Sequence, residues 1–230
     1  EDSSRALSDF GRMASGEPLQ YATGMSHFDG RHFKVTPDVL IPRPETAELI
    51  EWVVSDMKDE TSFSVLDIGT GSGCIPVSLA ARLPQAVVHA WDISGEALQV
   101  AAENARINHV SVQYRHQDVF QPCPADEHFR VIVSNPPYIT EKEKQEMEAN
   151  VLQWEPGLAL FVPDEDPLRF YRRIAEVGQT LLEPDGSLYF EISRNYGPET
   201  VSLLQQMGYA AVELRKDIFE NDRMVKACLR

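Results

Sequence analysis

The chain is short of positive charge. Against 36 Asp and Glu residues it sets only 21 Lys and Arg, a formal net charge of −15 over 230 residues. Tight stand-alone binding to nucleic acid needs many cationic contacts to phosphate, so this balance argues against it and leaves room only for a local basic patch. Cysteine is scarce as well. Cys74, Cys123 and Cys228 are an odd number with no Cys-x-x-Cys pair, a pattern that fits a reducing compartment and no zinc site. The six histidines (His27, His32, His89, His109, His116, His128) show no ligand spacing. No apolar run approaches membrane-spanning length, and no secretory signal is visible. With 43% hydrophobic residues, the expectation is an acidic cytoplasmic domain with one substantial core.

From about residue 62 the pattern alternates. "SVLDIG" (64–69) reads as a strand and "CIPVSLAARL" as a helix. "AVVHAWD" (86–92) reads as a second strand, followed by the helix "SGEALQVAAENARIN" with Ser94 placed as its N-cap. Strands near 112–115 and at Val131 follow, then the helix "DPLRFYRRIAEVGQTLL", the strand "GSLYFEI" and a helix from about Pro198. The segments "AAVELRKD" and "RMVKACLR" read as a closing hairpin at one sheet edge. This order predicts an α/β fold with a doubly wound, mostly parallel sheet. The front of the chain differs: residues 1 to about 16 read as a polar helix, and "QYATGMSHFDGRHFKV" as a hairpin turning at Asp29-Gly30. "VLIPRPETAELIEWVVSDM" then reads as a proline-pinned loop running into a helix that has Glu45 near its start.

Two stretches carry chemistry. In "LDIGTGSGC", Asp67 ends the first strand and Gly69, Thr70, Gly71, Ser72 and Gly73 form a loop into a helix. Glycines permit the tight turn and close approach of a ligand to the backbone. Such a loop also suits a dinucleotide. The G-x-G-x-G spacing, and an acid at 67 able to meet an ammonium group, favour S-adenosylmethionine. Asp92 ends the second strand, where a carboxylate can accept two ribose hydroxyls. Asp118, with Val119 and Phe120 as an apolar wall, falls where an adenine amino group would lie; a plain loop acid is the other reading.

The second stretch is "FRVIVSNPPYIT". A β-branched strand ends in Asn135, Pro136, Pro137 and Tyr138. Prolines have no N–H to donate, so the corner offers acceptors only. It can be an ordinary turn. Placed beside the glycine loop, it becomes a cradle in which the Asn135 side-chain oxygen and the Pro136 carbonyl accept the hydrogens of a planar NH2 group, with Tyr138 stacked on that group. Such a nitrogen turns positive as it attacks a methyl, and the acceptor bonds then strengthen.

With both stretches on the page, the chain resembles the amino-methyltransferases that act on planar nitrogens. The segments "EPLQYATG", "SHFDGRHFKV", "VLIPRPETAELIEWV", "WEPGLALF" and "IFENDRMVKACLR" narrow the likeness to the release-factor glutamine methyltransferases, from about Glu17 onward. The resemblance implies a class I S-adenosylmethionine-dependent, Rossmann-like, seven-stranded domain at 45–230. A hairpin and connecting segment at 17–44 would precede it, and 1–16 would be a remnant of an N-terminal helical domain or a linker. It implies cofactor contacts at Gly69–Gly73, Asp92 and Asn135, and glutamine binding at Asn135–Tyr138. Phe28, Arg43, Pro44 and Glu45 would lie near the site. Where relatives often carry a large aromatic against adenine, this chain has Val119. The implied substrate is the glutamine of the Gly-Gly-Gln motif in class 1 peptide-chain release factors. The rivals are a nucleic-acid amino-methyltransferase, which the charge disfavours, and a non-catalytic binding module, which has no use for the cradle.

Overall fold

The computed structural model describes residues 2–147 and 149–229; Glu1, Glu148 and Arg230, which fall in segments read above, lie outside the described residues. Helices α1 (Asp2–Ala14) and α2 (Leu19–Thr23) come first, joined by Arg12, which donates to Glu17 and to the carbonyls of Tyr21 and Ala22. The hairpin of β1 (Met25–Phe28) and β2 (Arg31–Lys34) follows. A two-residue turn matched to strand twist needs positive φ at both positions, and Asp29 and Gly30 supply +47° and +70°. Pro44 opens α3 (Pro44–Met57), a position where the missing N–H would have no partner anyway.

Strands and helices then alternate. β3 (Phe63–Ile68), α4 (Cys74–Arg82), β4 (Ala86–Asp92) and α5 (Gly95–Ile107) are followed by β5 (Gln113–His116) and β6 (Phe129–Ser134). Ser94 caps α5 by accepting the Ala97 N–H at 3.1 Å. Beyond β6 come the two-residue strand β7 (Ile139–Thr140), a 3-10 turn at Glu143–Glu146, α6 (Ala149–Trp154) and β8 (Phe161–Val162), which pairs with β7. The acidic stretch 141–147 is therefore turn and 3-10 geometry. The Glu143 carboxylate accepts both the N–H and the hydroxyl of Thr140 at 2.8 Å and pulls the segment tight. The chain finishes with α7 (Arg169–Leu181), β9 (Leu182–Glu191), α8 (Gly197–Gln206) and the hairpin of β10 (Ala210–Lys216) and β11 (Asp222–Cys228).

The central sheet has seven strands in the order β10-β11-β9-β6-β3-β4-β5. Its six pairings split as the sequence pattern required: the four among β9, β6, β3, β4 and β5 are parallel, and β11 is antiparallel to both β9 and β10. Side chains alternate between two cores. Val65, Val131, Val133 and Tyr189 pack with Leu49, Val53 and Val77 from α3 and α4. Leu66, Ile132, Leu188 and Phe190 pack with Ile174, Leu181 and Leu204 from α7 and α8. All eight of those strand residues are fully buried, each contributing about 1.5–3 kcal/mol of transfer free energy. Strand order reverses at β3, whose neighbours are β4 and β6. A crevice opens there beyond the carboxyl ends of the strands, the usual ligand position in such sheets.

Candidate active site

Gly69, Gly71 and Gly73 hold φ at +78°, +52° and +78°, a region that side-chain-bearing residues adopt at a cost. Gly73 has a second constraint, since a Cβ there would lie 2.8 Å from the Ala101 Cβ of α5. Asp92 ties this loop down. Its Oδ2 accepts the Gly71 N–H and its Oδ1 the Ser94 N–H, each at 2.8 Å. A carboxylate oxygen has two lone pairs, so both keep acceptor capacity toward the crevice that Asp92 borders. Burial holds the Asp92 carboxyl above the usual carboxylate range even with those N–H donors. Asn104, fully buried on α5, stitches the loop to the hairpin: its Nδ2 donates to Ser72 O and Lys34 O, and its Oδ1 accepts from Lys34 N.

Asp67 lies behind the loop. It is fully buried, and among the described residues neither carboxylate oxygen has a partner within ordinary hydrogen-bond geometry. Burial pushes this carboxyl up to about 7, and the neighbouring Thr70 hydroxyl offsets only part of the rise.

On the adenine side expected from the sequence, Asp118 Oδ1 accepts the Phe120 N–H at 2.9 Å, and Val119 is packed into the α7 core. The aromatic surface comes from the next residue. Phe120 meets Phe170 edge-on at 5.1 Å, and the Arg169 guanidinium sits 4.6 Å above the Phe120 ring.

Across the crevice, β6 ends beside β3, where the Ser134 hydroxyl donates to Ile68 O at 2.6 Å. Asn135, Pro136 and Pro137 border the opening. The chain is then captured by the β7–β8 pairing, with Ile139 N donating to Leu160 O. Tyr138 turns inward: its hydroxyl donates to Glu191 Oε1 at 3.3 Å, and burial raises the phenol above its ordinary range. Glu191, at the end of β9, is 1% exposed and accepts the Thr46 hydroxyl on Oε2 at 2.5 Å. Burial raises its carboxyl too, against the pull of Thr46 and Arg223. Asn135 Nδ2 in turn points at Thr46 Oγ1, 3.5 Å away. Above the corner, Arg43 is paired with the buried Glu155, whose other oxygen accepts the Ile41 N–H.

The crevice is a cavity of about 690 Å³, a size ordinary for small-molecule sites. It gathers Gly69, Thr70, Gly71, Ser72, Asp92, Asp118, Val119, Asn135, Pro136, Pro137 and Arg43 of the predicted residues. Asp67, Gly73, Tyr138, Glu45 and Phe28 do not border it. Phe28 is 5% exposed and packs edge-on against Phe33, because its strand position turns it into the core under the hairpin. In "PRPET" the resemblance points to Glu45 as near the site, whereas it is the next residue, Thr46, that faces the crevice. The sequence reading also passes over Glu191 and Phe170. A lone acid inside the apolar run "LYFEI" is a signal that could have found Glu191, since such residues are rarely buried without a partner.

Comparison with known proteins agrees with this geometry. Residues 50–153 match the model of the methyltransferase small domain. A release factor glutamine methyltransferase from Bacteroides thetaiotaomicron is 54% identical over 217 residues, 94% of this chain and 77% of that protein. The crystal structure of a protein-(glutamine-N5) methyltransferase (release factor-specific) from Alicyclobacillus acidocaldarius superposes with a TM-score of 0.53 at 29% identity, over 85% of this chain and 98% of that one. The 16S rRNA N2 G1207 methyltransferase of T. thermophilus, solved with AdoMet and guanosine, has a TM-score of 0.63 at 19% identity, over 90% of this chain and 50% of that one, and shares the fold alone. Identity at the level of the Bacteroides protein, over nearly the whole chain, is more than a shared fold: the chain belongs to the release factor glutamine methyltransferase family.

Proposed function

We propose that this protein transfers a methyl group from S-adenosylmethionine to the side-chain nitrogen (N5) of the glutamine in the Gly-Gly-Gln motif of class 1 release factors. One observation carries the reading: the acceptor corner at Asn135–Pro136 faces the glycine loop across a single cavity. The cofactor fits the residues present. Asp92 retains acceptor capacity for ribose hydroxyls, and Phe120 and Phe170 offer an apolar surface for a base. When bound, S-adenosylmethionine would supply an electrophilic methyl on its sulfonium sulfur, the sulfur leaving as a neutral thioether and the methylated nitrogen losing its extra proton to water.

This chain's own residues do the rest. An amide nitrogen is a poor nucleophile because its lone pair is delocalised, as its rotation barrier of ~18–20 kcal/mol shows. Asn135 Oδ1 and the Pro136 carbonyl accept its two hydrogens. Their bonds become charge-assisted as the nitrogen gives up conjugation, so they stabilise the transition state more than the ground state. The corner's prolines present no competing N–H. The two glycines that precede the target glutamine let the peptide backbone pass close to the walls of a narrow opening. The reaction belongs to the cytoplasm, where release factors work. Among the described residues no helix is long and apolar enough to cross a membrane.

Mass spectrometry of purified release factor after incubation with the protein and S-adenosylmethionine tests this. One added methyl is expected on the intact factor, and none on a variant whose motif glutamine is alanine. Transfer to DNA or RNA at a comparable rate, with the release factor inert, would overturn the assignment.

A further inference from the structure

Asn135 has an orientation problem that its own loop does not solve. A carboxamide presents a donor on one side and an acceptor on the other, with nearly the same shape. The mechanism above, on which this inference rests, needs the oxygen turned to the cavity. Neither proline has an N–H to fix it, so the constraint must come from elsewhere.

It comes from two elements far away in sequence. Thr46 is 2% exposed in the first turn of α3, and Glu191 is 1% exposed at the end of β9. A hydroxyl has one hydrogen, and that of Thr46 goes to Glu191 Oε2 at 2.5 Å. Only lone pairs are left for Asn135, which meets them with its Nδ2 at 3.5 Å. That distance is long, as hydrogen bonds in catalytic sites often are before substrate engages, and with Glu191 ionised its sense is fixed. A flipped amide would set oxygen against oxygen. The same carboxylate accepts the Tyr138 hydroxyl at 3.3 Å on its other oxygen. One buried acid thus holds both ends of the corner. The charges facing Glu191 are Arg223 from β11, itself held by Asp217, and Glu45 from α3.

We propose that Glu191 and Thr46 are positioning residues that fix the Asn135 carboxamide with its oxygen toward the nitrogen to be methylated. Glu191 takes the Thr46 hydrogen, and Thr46 takes one from Asn135. Glu191 does not border the cavity, and Thr46 is 2% exposed at its wall; both act through Asn135.

Two substitutions at Thr46 separate positioning from packing. Thr46→Val keeps the shape and removes the hydroxyl, whereas Thr46→Ser keeps the hydroxyl and removes a methyl. Positioning predicts that Thr46→Val lowers kcat about tenfold, the equivalent of one ordinary hydrogen bond. The release-factor KM and the S-adenosylmethionine Kd should stay within about twofold, and Thr46→Ser should recover most of the rate. In an Asn135→Ala background, Thr46→Val should cause no further loss. A space-filling role predicts the reverse, with valine benign and serine impaired, and that result would overturn the proposal. A readout independent of turnover comes from the Asn135 side-chain NH2 resonances. In Thr46→Val they should shift and exchange faster with solvent, and in Thr46→Ser they should stay in place. Resonances indifferent to Thr46→Val would equally overturn it. If the unmodified protein transfers no methyl to a release factor, the functional reading fails, and the resonances still decide the positioning claim.

Discussion

The two walls of the crevice are built by different means. The glycine-loop wall is local. Positive φ at three glycines shapes it, and Asp92 anchors it from 21 residues beyond Gly71. The acceptor corner is rigid in its prolines but is oriented from afar: Thr46 lies 89 residues from Asn135, and Glu191 lies 145 from Thr46 and 53 from Tyr138. A binding wall can be written into one short stretch because the backbone itself makes the contacts. A wall that must tell a lone pair from a hydrogen needs side chains, and those arrive from wherever the sheet brings them.

The largest expected effect tests whether the local wall is as self-sufficient as it looks. Burial pushes the Asp67 carboxyl up to about 7 in the folded protein, against an ordinary carboxylate value unfolded. The sign follows: no penalty exists below about pH 4, stability is lost as pH rises toward and through 7, and the loss then levels off near about 4 kcal/mol. Asp67→Asn should remove that slope. Urea unfolding from pH 4.5 to 8 should show the variant gaining on the parent as pH rises. Parallel curves would mean that the buried acid has partners.

Next is Asn135→Ala, which attacks the corner alone. Loss of one acceptor tuned to the transition state should lower kcat by about 100-fold or more while calorimetric S-adenosylmethionine affinity changes little. Near-normal turnover would reduce the corner to a turn.

Gly73→Ala strikes the loop where shape and packing coincide. Strain at positive φ together with the 2.8 Å approach to Ala101 should destabilise the fold by about 2–4 kcal/mol. Pairing it with Ala101→Gly should restore the packing part and leave the conformational part, so a full rescue would show that the left-handed geometry is not what requires glycine.

Asp92→Ala is the mildest. It removes a charged acceptor and frees the Gly71 N–H, and S-adenosylmethionine binding should weaken by about 1.5–3 kcal/mol. Unchanged affinity would take Asp92 out of the ribose role.

The same contrast explains what could be read in the sequence. The alternation that gave β3, β4 and β6, the Ser94 cap and the Asp29-Gly30 turn all depend on neighbours within a few residues, and each appears where expected. So does the glycine loop. Tyr138 is expected at the site because its ring suits a planar substrate, and Phe28 because the family resemblance puts its segment there. Which way each turns, however, depends on the register of a hairpin and on a carboxylate on β9, and neither is visible nearby. The Asn104 stitch between the loop and the hairpin is invisible for the same reason, since an asparagine in a helix reads as surface until its partners at Lys34 and Ser72 are known.

The distance between Thr46 and Glu191 also sets a timetable. A chain leaving the ribosome offers α3 and the glycine loop early, but the strand bearing Glu191 comes after most of the sheet has been made. Contacts between such distant positions form late, because the loop they close must first be ordered. A chain that ends before β9 carries the Asn-Pro-Pro-Tyr sequence without the carboxylate that orients Asn135. Completion of the sheet, and not the presence of that sequence, is then what makes the corner competent.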